Sequence, residues 1–415
     1  MPGSNGHEGY EKSVLSNGVR VITEVMPQVR SLALGFWFNV GSRDEPEGLC
    51  GISHFLEHMN FKGTPRRNAA AIVRAIEERG GHLNAFTSKE VTCFHVRAID
   101  SQLARTVDVI ADITQNSIYD PEELERERRV ILEELKSTED SPDEWALEQF
   151  VRQVFGRHAM GQMIIGRRET ISAIGHDQLI GYRTDNYCGN RLVIAASGSL
   201  DHKTVVKLVD HALTHKPGSP PKRVKPRNSK SGAVRQDLHS NTQQAHICWG
   251  CRSLPFDDPR KYALLTMNTI LGGGASSRLF QRIRERNGLA YSVYSFLDSF
   301  FDTGMFGVYA GTEPKQAEKA LRLIVKTVTE LAEKSVPAAE LKRTQDQLKG
   351  SLMLSLESPS ARMHRLARLE LHTGGFRPLE EVITQIEAVT SDDIKRLAED
   401  LFMESTTYTT VLWPK

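Results

Sequence analysis

One order of strands and helices occurs twice along this chain of 415 residues, and the repetition limits the possible folds more than any single motif does. In each half a strand precedes a helix, and a second helix, two strands and two long helices follow. The predicted elements lie at 31–40, around His54, 68–79, 82–87, 91–96, 101–117 and 121–138, and again at 244–250, 258–271, 276–286, 290–296, 304–310, 314–334 and 337–357. The repetition predicts two copies of one fold of roughly 200 residues each.

The two halves are separated by a segment with almost no side chains to bury. Residues 216–232 are rich in Pro, Gly, Ser and basic residues, which indicates an exposed linker. We therefore predict a first domain at 1–215, the linker at 216–232 and a second domain at 233–415. Strands and helices come in clusters and do not alternate strictly, so the predicted fold class is α+β. Each domain is expected to be a mainly antiparallel sheet with helices packed on one face.

Composition excludes several kinds of partner. The 53 basic and 52 acidic residues leave a formal net charge of +1, so we expect no nucleic-acid partner. No apolar run approaches the roughly 20 residues of a membrane helix, so we expect no membrane partner. The polar, Gly-rich N-terminus has neither the apolar core of a secretory signal nor an Arg-rich presequence, which favours a cytoplasmic protein.

The five cysteines are too few and too scattered for a disulfide framework in a chain of this length. Cys248 and Cys251 are spaced like a redox or zinc pair, but they lie in a strand-like run. No second pair is present to complete a tetrahedral zinc site. We interpret both residues as small buried hydrophobic side chains.

The sequence His54-Phe-Leu-Glu57-His58 indicates a metal site if it lies on a helix. Positions i and i+4 share one helix face, so the two imidazoles can bind one zinc ion and Glu57 can reach a water molecule there. The order is the reverse of the His-Glu-x-x-His zinc-protease motif, which is the inverzincin pattern. The alternative for so short a match is a solvated polar face. The corresponding helix of the second half has no such motif, so metal is expected in one half only.

A third ligand is expected, because catalytic zinc usually takes three protein ligands and keeps one open position. The acidic segment 122–136 is the main source of candidates. On a helix, Glu127 and Glu134 lie only about 20° apart and flank apolar residues, where a carboxylate is costly to bury unless it is paired or binds metal. Either residue can be the ligand, with the other orienting a histidine. Three histidines are weaker candidates that are more readily explained as structural: His82, His95 and His158.

Taken together, these residues resemble the pitrilysin/insulinase family of zinc metallopeptidases. The closest resemblance is to bacterial processing-protease-like enzymes and the β subunit of mitochondrial processing peptidase, so a bacterial source is expected. The resemblance runs nearly end to end. Five motifs carry it: His54–His58 followed by Phe61–Thr64, Gly81–Thr87, Glu127–Glu134, Leu271–Phe280 and Arg284–Tyr291.

The resemblance implies a complete metal site. It implies His54, His58 and Glu134 as ligands of one Zn²⁺ per chain, and Glu57 as the general base. It also implies Glu127 as the supporting acid beside a ligand.

The resemblance further implies how a substrate is held. Asn84 and Ala85 are expected on an edge strand that pairs with an extended or unfolded peptide. Arg284 and Tyr291 are expected to hold the substrate carbonyl or to stabilise the oxyanion. A chain of this size resembles half of a two-chain chamber, so a homodimer is expected, and a heterodimer with a metal-free homologue is the alternative.

The sequence therefore predicts a zinc-dependent endopeptidase that hydrolyses extended peptides inside a closed dimeric chamber. Glu57 is expected to activate water and to pass its proton to the leaving amine. The alternative is a non-catalytic or heterodimer subunit with a structural or peptide-binding role.

Overall fold

A computed structural model describes residues 9–227, 232–404 and 406–415. The start of the N-terminal segment and residues 228–231 of the predicted linker therefore lie outside the described residues. The chain divides into two compact units. Unit 1 comprises the described residues up to Leu135, Gln162–Arg223 and Ser355–Phe376, and unit 2 comprises Lys136–Gly161 with the described residues of Val224–Leu354 and Arg377–Lys415.

The helices and strands are numbered in chain order over the described residues. The strands are β1 Tyr10–Val14, β2 Arg20–Val25, β3 Ser31–Phe38, β4 His82–Thr87, β5 Thr92–Ile99, β6 Leu192–Gly198, β7 Gly232–Ser240, β8 Ala245–Ser253, β9 Ala290–Ser299, β10 Gly304–Thr312 and β11 Thr406–Pro414. The helices are α1 Ile52–Asn60, α2 Ala69–Glu77, α3 Leu103–Asn116, α4 Pro121–Asp140, α5 Pro142–Phe155, α6 Arg168–Ala173, α7 His176–Asn186, α8 His202–Ala212, α9 Lys261–Gly272, α10 Ala317–Glu333, α11 Ala338–Ser355, α12 Pro359–Thr373, α13 Leu379–Glu387 and α14 Ser391–Glu399.

Unit 1 is built on a six-stranded sheet in the order β1-β2-β6-β3-β5-β4. Only the β2–β6 pair is parallel, and the other pairs are antiparallel. Alternate side chains of β3 and β5, such as Phe36 and Phe94, are buried in a core shared with Phe55 of α1, Ile110 of α3 and Leu179 of α7. Strand β4 is at one end of the strand order, so one of its edges is unpaired within this sheet.

Unit 2 repeats this plan with a five-stranded sheet in the order β7-β11-β8-β10-β9. The β7–β11 pair is parallel and the other pairs are antiparallel. Trp249 and Phe306 of the sheet are buried against Met267 of α9, Ile324 of α10 and Leu397 of α14. The prediction of two α+β copies, each a mainly antiparallel sheet with a layer of helices, is confirmed.

Each sheet also has a helix on its second face, in addition to the predicted layer. In unit 1, Met363 and Leu366 of α12 pack with Trp37 and Val193 of the sheet. In unit 2, α5 packs on β8 and β11 through the buried side chains Ala146, Phe150, Val154, Cys248 and Leu412. Each unit thus contains one helix from the other half of the chain, whereas the predicted boundaries at 1–215, 216–232 and 233–415 follow chain order.

Several details differ from the sequence prediction. Helices α5, α6, α7, α12, α13 and α14 and strands β7 and β11 were not predicted. The predicted helix at 276–286 is in large part a π-helical segment, Phe280–Glu285. The interpretation of Cys248 and Cys251 is confirmed, because both are free thiols and fully buried. Over the described residues, each helix is too short or too polar to cross a lipid bilayer.

Candidate metal centre

Helix α1 is held at its start by a glycine and by a buried carboxylate. Gly51 adopts a φ of +96°, and a Cβ there would lie 2.6 Å from the carbonyl oxygen of Ile165. The carboxylate of Glu45 accepts the backbone N–H groups of Gly51 and Ser53, at 2.7 and 2.9 Å. Burial raises the pKa of Glu45 to about 8, although these two hydrogen bonds oppose the shift. The apolar face of α1 is fully buried in the core of unit 1: Ile52, Phe55, Leu56 and Met59.

His54, His58 and Glu134 meet at the opposite face of this helix. One ligand atom from each lies within 4.8 Å of the other two. His54 Nε2 is 3.7 Å from Glu134 Oε1, and His58 Nε2 is 3.7 Å from Glu134 Oε2. Among the described residues, this is the one group of three or more potential metal-binding side chains that come so close. The structure therefore places Glu134, and not Glu127, against both Nε2 atoms.

These three side chains fit a zinc ion. Ligands about 2.1 Å from a tetrahedral ion lie about 3.4 Å from one another, a few tenths of an ångström less than the 3.7 Å that separates each histidine from the nearer oxygen of Glu134. Two imidazole nitrogens and one carboxylate form a donor set that zinc favours. Burial, and secondarily the neighbouring His58, lower the pKa of His54 to about 3. His54 is therefore neutral at physiological pH, as a ligand must be.

Glu127 lies behind His58. Its Oε2 is 3.1 Å from His58 Nδ1, and its Oε1 is 2.6 Å from Lys62 Nζ. Burial raises the pKa of Glu127, but hydrogen bonds from His58 and Lys62 outweigh it, and the net shift is downward. An ionised Glu127 makes Nδ1 the protonated nitrogen of His58, so that Nε2 presents its lone pair toward Glu134 and His54.

Glu57 lies on α1 between the two histidines. Its Oε2 accepts a hydrogen bond of 2.6 Å from Thr87 Oγ1, at the end of β4. Burial raises the pKa of Glu57, while the Thr87 hydrogen bond and the charge of His58 oppose the shift. A carboxylate in this position, with a raised pKa, can take a proton from water and give it up again.

Asn84 and Ala85 lie on β4, at the open edge of the sheet. The side-chain oxygen of Asn84 accepts the backbone N–H of Ala85 at 2.8 Å, in an exposed position. Ser88 donates its N–H to the carbonyl oxygen of Val91 across the turn to β5. Counting back from Ser88, the backbone groups of successive β4 residues point alternately toward the open edge and toward β5. The N–H of Ala85 accordingly points to the open edge, where the side chain of Asn84 accepts it.

Arg284 and Tyr291 lie together in unit 2. Arg284 Nη1 donates to the carbonyl oxygen of Tyr291 at 2.8 Å, and its guanidinium lies 4.6 Å from the centre of the Tyr291 ring. The centre of the Phe280 ring also lies 4.8 Å from the guanidinium. Tyr291 is 78% exposed on β9, an edge strand, so its hydroxyl faces solvent.

The three weaker histidine candidates do not join the metal group. His82 is exposed on β4. His95 packs edge-on against the ring of His364 at 5.4 Å, and burial together with His364 lowers its pKa to about 4. His158 is bonded through Nε2 to the carbonyl oxygen of Val224 at 2.9 Å. None of the three belongs to the group formed by His54, His58 and Glu134.

Sequence reasoning missed three residues that support the centre. Thr87 comes two positions after Ala85 on the same predicted strand, and this spacing was an available signal. Lys62 follows His58 by four residues, which brings it near the same helix face. Glu45 precedes the helix by several residues, and no sequence pattern indicated its role.

Two family models match the chain. Residues 20–168 match the model described as "Insulinase (Peptidase family M16)", and residues 173–348 match "Peptidase M16 inactive domain". The chain therefore belongs to the insulinase family of peptidases, family M16. The second description fits the later half, whose described residues contain no comparable group of metal-binding side chains.

Bacterial relatives described as zinc proteases cover nearly the whole chain. An "Uncharacterized zinc protease" of Streptomyces coelicolor is 38% identical over 97% of this chain and 89% of its own length. The "Uncharacterized zinc protease YmxG" of Bacillus subtilis is 38% identical over 94% of each chain. These names support a peptidase that uses zinc.

Solved structures share the fold at lower identity. A protease from Helicobacter pylori superposes with a TM-score of 0.93 at 23% identity, covering 98% of this chain and 99% of that one. A chain of Complex III2 from Candida albicans superposes with a TM-score of 0.84 at 21% identity, covering 97% and 95%. At such identities the likeness concerns the fold alone.

Proposed function

We propose that this protein is a zinc-dependent endopeptidase that hydrolyses extended peptides. The observation that carries the proposal is the convergence of His54, His58 and Glu134, with Glu127 behind His58 and Glu57 on the same helix. These three side chains would hold one zinc ion per chain. When bound, zinc supplies Lewis acidity and acidifies a water molecule.

Glu57 carries the proton in the proposed reaction. Its carboxylate takes a proton from water as the water oxygen bonds to the scissile carbonyl carbon. The same carboxyl then gives that proton to the peptide nitrogen as the C–N bond breaks, which leaves a carboxylic acid and an amine. Its half-buried position beside the two histidines supports both steps, because a raised pKa brings a carboxyl closer to neutral pH.

The open edge of β4 is the proposed substrate platform. An extended peptide can replace the Asn84 side chain at the N–H of Ala85 and continue the sheet. Main-chain hydrogen bonds then provide affinity, and side chains of the substrate contribute little. This mode favours unfolded or extended peptides over folded proteins.

Arg284 and Tyr291 are proposed to complete the site of a second copy of the chain. Both present polar groups at the surface of unit 2, where they can stabilise an oxyanion. In the proposed homodimer, Arg284 of one chain serves the zinc site of the other. Mixed dimers of His54→Ala and Arg284→Ala chains should then regain activity above either variant alone. If the mixture is no more active than either variant alone, the second copy does not complete the zinc site.

Replacing Glu57 with glutamine separates metal binding from chemistry. We expect Glu57→Gln to bind zinc as the wild type does and to lose peptide hydrolysis, because the amide cannot accept the proton. His58→Ala should lose both zinc and activity. Glu133→Gln, which changes an exposed acid beside Glu134, is the control and should lose neither. Zinc content and cleavage of a peptide library are measured on each protein, and full activity of zinc-loaded Glu57→Gln contradicts the assignment.

The alternative function is a non-catalytic subunit that binds peptides. The description of the second family model as an inactive domain favours it for the later half. Under this alternative the wild type binds zinc and extended peptides but cleaves none. Gel filtration of the protein expressed alone then distinguishes a homodimer from a subunit that needs a metal-free homologue.

A further inference from the structure

The hydroxyl of Thr87 connects the edge strand to the proposed general base. Thr87 is the last residue of β4, and its Oγ1 donates to Glu57 Oε2 at 2.6 Å. Over the described residues, this is the one hydrogen bond that the Glu57 side chain makes. Glu57 Oε1 is therefore left to accept from water, and the rotation of the carboxylate depends on a single donor.

The backbone of Thr87 faces the open edge at the same time. Ser88 donates its N–H to the carbonyl oxygen of Val91 at 2.8 Å and so closes the turn to β5. Residues next to a hydrogen-bonded pair in an antiparallel ladder point their N–H and C=O groups the other way. Thr87 and Ala85 therefore both present their backbone groups to the edge, while their side chains face α1.

We propose that Thr87 is a positioning residue that fixes the Glu57 carboxylate and couples its orientation to peptide pairing along β4. The role rests on the endopeptidase function proposed above. A peptide added at this edge bonds to the backbone of the residue whose side chain holds the base. Pairing then stiffens the strand end and keeps Glu57 Oε1 aimed at the water that attacks the peptide.

A hydroxyl at a strand end can also serve only to satisfy a buried carboxylate. The neighbouring strand offers a matched comparison, because Thr92 pairs directly with Thr87 across the ladder. Thr92 Oγ1 donates to the carbonyl oxygen of Val40 at 3.0 Å, whereas Thr87 Oγ1 donates to Glu57. Removing its hydroxyl has a structural cost of the same kind without touching the base.

The test compares Thr87→Val, Thr87→Ser and Thr92→Val with the wild type as full-length, zinc-loaded proteins. Zinc content, thermal unfolding, and kcat and KM on an extended fluorogenic peptide are measured for each. We expect Thr87→Val to lose about 10- to 100-fold in kcat, the range for one hydrogen bond to a charged group. Its KM should stay within about twofold and its zinc content should not change, because neither the ligands nor the strand edge is altered. Thr87→Ser should restore kcat, and Thr92→Val should lower stability without lowering kcat.

Two kinetic results overturn the inference. One is a Thr87→Val protein with the kcat of the wild type. The other is a loss of kcat that occurs together with loss of zinc, or that Thr92→Val reproduces. Crystal structures of the zinc-loaded proteins provide a readout that does not depend on activity. Glu57 should keep one orientation in the wild type and in Thr87→Ser, and leave it in Thr87→Val.

Failure of the proposed function is distinguishable from failure of this inference. If the wild type cleaves no peptide, the endopeptidase function falls, and the crystal structures alone decide the role of Thr87. If the wild type is active and Glu57 stays in place without the hydroxyl, the endopeptidase function stands and the positioning role falls.

Discussion

Replacing Lys62 with methionine should weaken zinc binding, although Lys62 is not a proposed ligand. Lys62 Nζ lies 2.6 Å from Glu127 Oε1, and Glu127 Oε2 lies 3.1 Å from His58 Nδ1. Methionine keeps the length of the side chain and removes the charge. Glu127 then keeps its contact with His58 but loses the cation that balances its negative charge, so we expect it to hold the imidazole ring less firmly.

The magnitude follows from the position of Lys62 in this series of contacts. Partners that hydrogen-bond to a metal-binding histidine typically change metal affinity 10- to 100-fold, and Lys62 acts one contact further away. We therefore expect a loss of about 10-fold in zinc affinity, or about 1.4 kcal/mol. The side chains of Lys62 and Glu127 are 27% and 8% exposed, so their ion pair is intermediate between a surface ion pair and a buried one. The zinc-free protein should accordingly lose about 2 kcal/mol in free energy of unfolding.

Competition with a zinc chelator measures the affinity, and denaturant unfolding measures the stability. Lys62→Arg keeps the charge and should recover most of the affinity. Lys207→Met removes an exposed lysine on α8 that has no ion pair among the described residues, and it should change neither quantity. If Lys62→Met binds zinc as tightly as the wild type, the orientation of His58 does not depend on Lys62, and the reasoning is refuted.

Two further predictions concern buried ionisable groups of unit 1. Burial raises the pKa of Glu45 from an ordinary value of 4.5 to about 8, so the zinc-free wild type should lose stability as pH rises from 4.5 toward 8. Glu45→Gln should remove that loss, because the amide stays neutral. Denaturant unfolding across this pH range checks it against Glu47→Gln, an exposed neighbour, and a pH profile of Glu45→Gln equal to that of the wild type contradicts it. Burial lowers the pKa of His215 to about 4 from an ordinary value of 6.5, so the zinc-free protein should lose stability as pH falls from 6.5 toward 4. His215→Phe should remove about 3 kcal/mol of that loss by pH 4, whereas His211→Phe, at an exposed position, should leave the pH profile of unfolding unchanged.

The sequence determined the helix of the metal centre well, because its information is local. His54, Glu57 and His58 need only little more than one turn of helix to come close together, and α1 carries all three. The third ligand was not decided in the same way. Glu127 and Glu134 differ by only about 20° around α4, so the choice depends on which turn of α4 lies beside α1. Tertiary packing through core residues such as Ile131 decides which turn of α4 that is.

The assignment of helices to sheets was beyond the sequence for a related reason. An amphipathic pattern shows that a helix has a face to bury and does not say which sheet will cover it. Helices α5 and α12 are the clearest case, since each packs on the sheet of the unit formed mainly by the other half of the chain. Helix α7 was missed because it buries little, with Leu179 and Tyr182 its only buried residues.

The residues that support the metal centre were also beyond prediction from the sequence, for a chemical reason. A ligand is recognisable because zinc demands particular donor atoms at a particular spacing. A supporting residue such as Thr87 or Lys62 need only bring one donor to one oxygen, and many residue types at many spacings can do that. A supporting residue is therefore identified by its distance from the ligand or base in the folded chain. Its role is tested by a substitution that removes the donor atom and keeps the shape of the side chain.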